Sequence, residues 1–200
     1  MLEYPGRSAI RDRVEVVRFR LRKVLASIWL ATALGALGAL ARAAIPVATL
    51  PPTVVALAPG LHRLGTARHT VFGLHVFDAT LWVAGPRWSP SEAHALDVIA
   101  SRTIPPSRLV NGVIDEMRDI KAADDKQCSM WKERLNRIVP TLARGDQLVI
   151  LCLPKRQTVI FYNGTTTGSV DDPNFGSALF RVWLDPISSR PDVRSALLQD

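Results

Sequence analysis

Apolar and polar positions alternate with several different periods along the chain, and the changes mark its elements. Residues 61–83 hold two strand-type runs. Within them Val71, Phe72, Leu74, Val76, Ala79, Leu81 and Val83 are compatible with one long strand, in which Gly73 permits a bend or bulge. Gly85-Pro86 ends it, and residues 89–92 (SPSE) form a turn. The apolar run 95–100 is short, and periodicity alone leaves it open between strand and helix. Pro105-Pro106-Ser107 then caps a segment in which Leu109, Val110, Val113, Ile114 and Met117 recur on one helical face, with Asp115, Glu116 and Asp119 mainly on the solvated side. After a charged connector, 121–127, Trp131, Leu135, Ile138 and Val139 give a second amphipathic helix that stops near Pro140.

The last third returns to β-type pattern. Two apolar runs, Gln147–Leu153 and 158–162, flank a short basic turn, 154–156, and a polar Gly turn at Asn163-Gly164 follows. Asp171-Asp172-Pro173 supplies capping groups for an aromatic-rich helix ending at Trp183-Leu184, and 193–199 is a closing helix. Strands first, a helix pair, a hairpin, then two helices: this order predicts an α+β fold, an antiparallel sheet with helices packed on one face.

The N-terminal pattern is different. Arg18, Arg20, Arg22 and Lys23 form a basic region before the apolar, Ala- and Leu-rich run 24–40. Ala41-Arg42-Ala43 fits a small-x-small cleavage site. Residues 1–43 are therefore expected to be a signal peptide, with Ala44 as the new N-terminus and the mature protein exported, periplasmic in a bacterium. The alternative is an uncleaved leader anchoring the protein to the inner membrane, although the apolar run is shorter than the ~20 residues a span prefers. Residues 44–60, Pro- and Ala-rich, read as an extended lead-in rather than a helix. Residues 61–200 form the domain.

This division changes the charge argument. Eight basic and three acidic residues give the first 43 positions +5 of the chain's +7, so the remaining 157 residues carry +2. The high isoelectric point belongs mostly to the leader, and a domain near +2 gives no electrostatic case for nucleic acid. Cys128 and Cys152 either pair in an oxidising compartment or remain two separate small buried thiols. His62, His69, His75 and His94 are scattered and no Cys-x-x-Cys occurs, so no metal site and no cofactor are expected. No Gly-x-Ser-x-Gly is present, and the glycine-containing stretch 163–168 lacks the lysine of a phosphate loop.

The string from Gly145 to Leu198, with its Gly-Asp start, Phe-Tyr-x-Gly turn, acidic-Pro cap, aromatic helix ending in Trp-Leu and closing Leu-Leu helix, resembles the bacterial chalcone-isomerase-like family. Residues 64–83 (LGTARHTVFGLHVFDATLWV) resemble that family's other hallmark, a Gly-led strand, an aromatic-Asp-Ala run and then Leu-aromatic. The resemblance covers roughly residues 57–198. It implies the open-faced β-sandwich of the chalcone isomerase fold, with a ligand cleft between sheet and helices.

The resemblance also implies where chemistry would sit. The enzymes of this fold use an Arg and a Thr on adjacent strands, a Tyr and an Asn on a helical stretch, and a Ser or Thr on the penultimate helix. Here the strand Thr falls on Phe77 and the helix hydroxyl on Val182. The Tyr/Asn pair falls near 124–132, which reads DDKQCSMWK and has neither residue. The Arg is matched by Arg68, or less well by Arg63. Flavanone-forming catalysis is therefore not supported. Replacing hydroxyls by Phe and Val suits an apolar cleft with one cation fixing an acidic end. Plant members of the fold bind fatty acids, which makes a small apolar or amphipathic, fatty-acid-like ligand the analogous expectation. The expected ligand-binding set is Arg68 as the carboxylate clamp, Phe72, Phe77, Phe161 and Trp183 around the chain, and Tyr162 presenting its hydroxyl. The ordinary role of each of these aromatics is core packing, and that of Arg68 a surface or salt-bridged strand position. Asp78 should pair with an arginine or cap a turn if it points inward. The alternatives are an isomerase or intramolecular lyase with altered chemistry, and a structural or interaction protein whose cleft is filled by its own side chains.

Overall fold

The computed structural model describes residues 48–200; the proposed leader and its cleavage site lie outside them. Six strands form one sheet in sequential order, every neighbouring pair antiparallel: β1 His62–Val71, β2 Leu74–Val83, β3 His94–Ala100, β4 Gln147–Leu153, β5 Gln157–Tyr162 and β6 Thr165–Val170. A short helix, α1 Pro52–Leu57, precedes the sheet. Helices α2 Pro106–Asp119 and α3 Asp125–Ile138 are inserted between β3 and β4, and α4 Pro173–Leu184 and α5 Pro191–Leu198 follow β6. The α+β class and the antiparallel sheet carrying helices are as expected from the pattern.

The period of two in the strands divides the core. Leu81, Leu96, Leu148 and Ile160 meet the helix face, where Ile114, Met117, Leu135, Phe175 and Leu179 close over them. On the opposite face Ala95, Val149, Leu151 and Phe161 pack under Val54 and Ala58. The lead-in is thus not extended throughout: Pro51-Pro52 starts a helical turn rather than preventing one, because Pro is tolerated at the first helical position. Val54 is then buried on the second face of the sheet.

Three further differences have local causes. Residues 71–83 are not one long strand, since Phe72 and Gly73 both take positive φ and close a two-residue hairpin, with Val71 opposite Leu74. The connector 121–127 is shorter than its charge suggests. Asp124 Oδ1 accepts from Gln127 N at 2.8 Å and the Gln127 side chain returns to the Asp124 N–H, a capping box that starts α3 at Asp125. The polar run after Asn163-Gly164 is a strand, β6, on the edge of the sheet. Asp172 caps α4 as expected, its Oδ1 accepting from Asn174 N at 2.9 Å and its Oδ2 from the Trp131 indole at 3.0 Å. Asp171 instead accepts from Ser169 Oγ. Cys128 and Cys152 are both buried and free.

A bulge sets up the site. His69 pairs with Phe77 but Thr70 pairs with His75, so Val76 is an extra residue on β2. Val76 and Phe77 therefore both reach the cleft on the helix side. His75 and Asp78 share the other side, 3.1 Å apart.

Candidate functional site

A cleft of about 350 Å³ opens at the β1–β2 hairpin end of the sheet. The hairpin forms one wall through His69, Val71, Phe72, Leu74, Val76 and Phe77. The 102–104 segment and α2 form the second. The end of α4 and the following loop close it with Val182, Trp183, Ser189 and Arg190. On α2 the lining residues Arg108, Leu109, Gly112, Val113 and Glu116 form one stripe, adjacent to the stripe of Val110, Ile114 and Met117 that faces the core.

The interior is aromatic and aliphatic. The His69 ring stacks on Phe77 with centroids 4.5 Å apart, and Trp183 meets both edge-on at 6.0 and 5.9 Å. Burial pushes the His69 pKa below its ordinary value, and the neighbouring Arg190 lowers it further against a smaller opposing effect of Asp192. The imidazole is therefore neutral at pH 7. His69 Nδ1 and Trp183 Nε1 are buried without a protein partner among the described residues, which leaves two polar points on an otherwise apolar wall.

The rim is cationic: Arg102, Arg108 and Arg190 against one carboxylate, Glu116. Glu116 is already engaged, accepting from Ser189 N at 3.0 Å and Ser189 Oγ at 2.8 Å. Arg102 Nε donates to His75 O at 2.9 Å and Arg190 Nη1 to Thr70 O at 3.1 Å. These bonds to neutral carbonyls hold the guanidiniums in place without cancelling their charge. The Arg108 side chain has no hydrogen bond or ion pair among the described residues; only its backbone N–H donates, to Pro105 O at 3.0 Å.

Of the six residues expected from the sequence, the cleft gathers Phe72, Phe77 and Trp183. Phe77 is buried, whereas Phe72 stands on the rim, 99% exposed. Phe161 lies behind the sheet, in the cluster under α1, because it alternates with Ile160 on β5. Tyr162 donates to Asp146 Oδ2 at 2.7 Å at the end of β5. That bond raises the tyrosine pKa, while hydrogen bonds from Asn163, Tyr162 and the Ala143 backbone lower that of Asp146. Its hydroxyl is committed to a turn, not to the cleft.

Arg68 does not line the cleft. It faces away from the cleft, opposite Asp78 on the other side of the β1–β2 ladder, with Nε 3.2 Å from Asp78 Oδ1. The expected pairing of Asp78 with an arginine is met by this same contact. The cations that do face the cleft went unrecognised in the sequence. Their signal was the span from the end of β3 to α2: once Ala100 ends a strand and Pro106 starts a helix, Arg102 and Arg108 flank one end of the sheet.

Phe77 and Val182, the positions where the resemblance implies hydroxyls, both line the cleft, whereas residues 124–132 do not. No group of His, Cys, Asp and Glu that could hold a metal occurs among the described residues.

The comparisons with known proteins bear on the fold and the family. No curated protein matches the chain. Among solved structures, the fatty-acid binding protein of Arabidopsis thaliana is similar in fold, with a TM-score of 0.55 at 10% identity, covering 70% of this chain and 87% of that one. The model of the family described as chalcone isomerase-like matches residues 64–199, from the Gly-led strand through the closing helix. The chain belongs to the chalcone isomerase-like family.

Proposed function

We propose that the domain binds a small anionic amphipath, such as a fatty acid, in this cleft. The acyl chain lies along Val76, Phe77, Leu109, Val113 and Trp183, and the carboxylate meets Arg102 and Arg108 at the rim. The observation that carries the reading is the pairing of an apolar interior with a rim of three arginines and one lining carboxylate, Glu116, which is occupied by Ser189. A volume near 350 Å³ lies within the range of small-ligand sites. The fold neighbour's description as a fatty-acid binding protein supports the same class of ligand. Displacement of a fluorescent acyl probe by unlabelled fatty acid tests it; a chain that takes up no probe at micromolar concentrations would favour a packed, ligand-free role instead.

The domain is not a flavanone-forming enzyme on this reading, because Phe77 and Val182 offer no hydroxyl to the cleft. A spectrophotometric assay should show chalcone cyclising at its solution rate. A rise of about a hundredfold, the contribution expected of one positioned acid–base group, would contradict it. The observation that favours an altered isomerase is His69, neutral and with Nδ1 unpartnered in the cleft wall. We also propose that residues 1–43 are removed and that the domain works outside the cytoplasm, supported by the basic region, apolar run and Ala-Arg-Ala site. A mature N-terminus at Ala44 is the expected result of N-terminal sequencing.

A further inference from the structure

Two hairpins of this sheet turn through the same backbone. At β5–β6 the pair is Asn163-Gly164, with φ 47° and 80°; at β1–β2 it is Phe72-Gly73, with φ 50° and 75°. A two-residue turn with both φ positive favours Asn-Gly, because a short polar side chain tolerates the left-handed region and a bulky one does not. Phe72 is therefore a poor choice for folding. It also gains nothing from packing, since it is 99% exposed. A strained, solvent-facing aromatic on a rigid turn points to a role outside the folded core.

The surroundings say what that role is. Among the described residues six large hydrophobic side chains are exposed; two of them line this mouth and a third is in the loop next to it. Phe72 and Leu74 line the mouth from the hairpin, and Ile187 is placed beside it only by sequence, two residues before the lining Ser189 and Arg190. Arg102, Arg108 and Arg190 ring the same opening. One projecting aromatic with two aliphatic neighbours is too little apolar surface for a stable protein interface, which needs roughly 800 Å² on each side. It suits a soft boundary, where a shallow apolar insertion and a cluster of cations together give reversible binding.

We propose that the cleft mouth docks on an anionic lipid surface, with Phe72 entering the acyl boundary and Arg102, Arg108 and Arg190 meeting the lipid phosphates. The inference goes beyond ligand binding and is independent of what the cleft holds. Its consequence for a carrier is that an amphipath would pass between bilayer and cleft without crossing water.

The test is an environment-sensitive fluorophore on Ile187→Cys in the chain as isolated, with Lys155→Cys on the β4–β5 turn, at the opposite end of the sheet, as control. Native Cys128 and Cys152 are buried, which directs the label to the introduced thiol. With vesicles containing phosphatidylglycerol, emission at position 187 should shift to the blue while position 155 stays unchanged. With phosphatidylcholine alone the shift should be far smaller. Phe72→Asn should weaken partitioning by at least about tenfold, and its melting temperature should hold or rise because Asn suits the turn. Arg102→Gln with Arg108→Gln should weaken it about thirtyfold and remove most of its salt dependence. No shift at 187, an equal shift at 155, equal binding to both vesicle types, or unaltered binding by Phe72→Asn would each overturn the proposal. A chain that docks but takes up no acyl probe keeps the docking and loses the carrier reading; one that takes up probe from solution but never docks does the reverse.

Discussion

Asp97 is the residue whose surroundings most clearly oppose its chemistry. It sits on β3, fully buried beneath the lead-in, and Gln147 Nε2 donates to both of its oxygens at 3.0 Å and to Thr49 O at the same distance. Burial pushes its pKa from 3.8 up to about 6, with the Gln147 bond pulling part of the way back. The folded state thus holds this proton more tightly than the unfolded chain does. Stability should rise as pH falls from about 6 towards 4, and be lost again as pH rises through that window. Asp97→Asn keeps an acceptor for Gln147 and removes the buried charge. It should be more stable at pH 7 by on the order of 2 kcal/mol and lose this pH dependence, as urea denaturation at pH 4.5 and 7 would show. A variant less stable than the wild type at pH 7 would mean that the carboxylate is favourably bound.

At the scale of elements, glycine positions set how closely the helices approach the sheet. α5 lies on β1 at Gly65, where a Cβ would fall inside contact distance of the Ala196 and Leu197 carbonyl oxygens. Backbone atoms cannot rotate away, so Gly65→Ala must displace the closing helix and the buried Val193 and Leu197 it carries. A loss of about 2–3 kcal/mol is expected in denaturant titration; a change below about 0.5 kcal/mol would show that α5 docks less closely. Elements of this kind were readable where one periodic signal dominated. The stripes Val110, Ile114, Met117 and Trp131, Leu135, Ile138 fix α2 and α3 without tertiary information. β6 escaped because a polar edge strand, TTTGSV, shows no alternation of apolar residues to read. The β1–β2 turn escaped because Phe-Gly is not a turn pair by composition.

The whole molecule explains why the site was only half legible. Phe77 and Trp183 follow from the position of their elements, one on a core strand and one on a core helix. The cations do not. Arg68 and the rim arginines look alike in sequence, and only strand register and the β3–α2 crossing decide that Arg68 faces Asp78 while Arg102 and Arg108 face the cleft. The same alternation that puts Ile160 on the helix face puts Phe161 behind the sheet. Arg68 being about 40% exposed and already paired, its ion pair contributes little to ligand affinity or to stability.

Isothermal titration with a fatty acid and its methyl ester, on the wild type, on Arg102→Gln with Arg108→Gln, and on Arg68→Ala, tests the central claim most directly. A charge-assisted bond contributes roughly 1.5–3 kcal/mol, so the rim variant should bind the acid about ten- to a hundredfold more weakly and the ester almost unchanged. Arg68→Ala should bind both as the wild type does. If the acid instead follows Arg68→Ala and ignores the rim variant, or if acid and ester bind every protein alike, the cationic mouth of the cleft is not the head-group site.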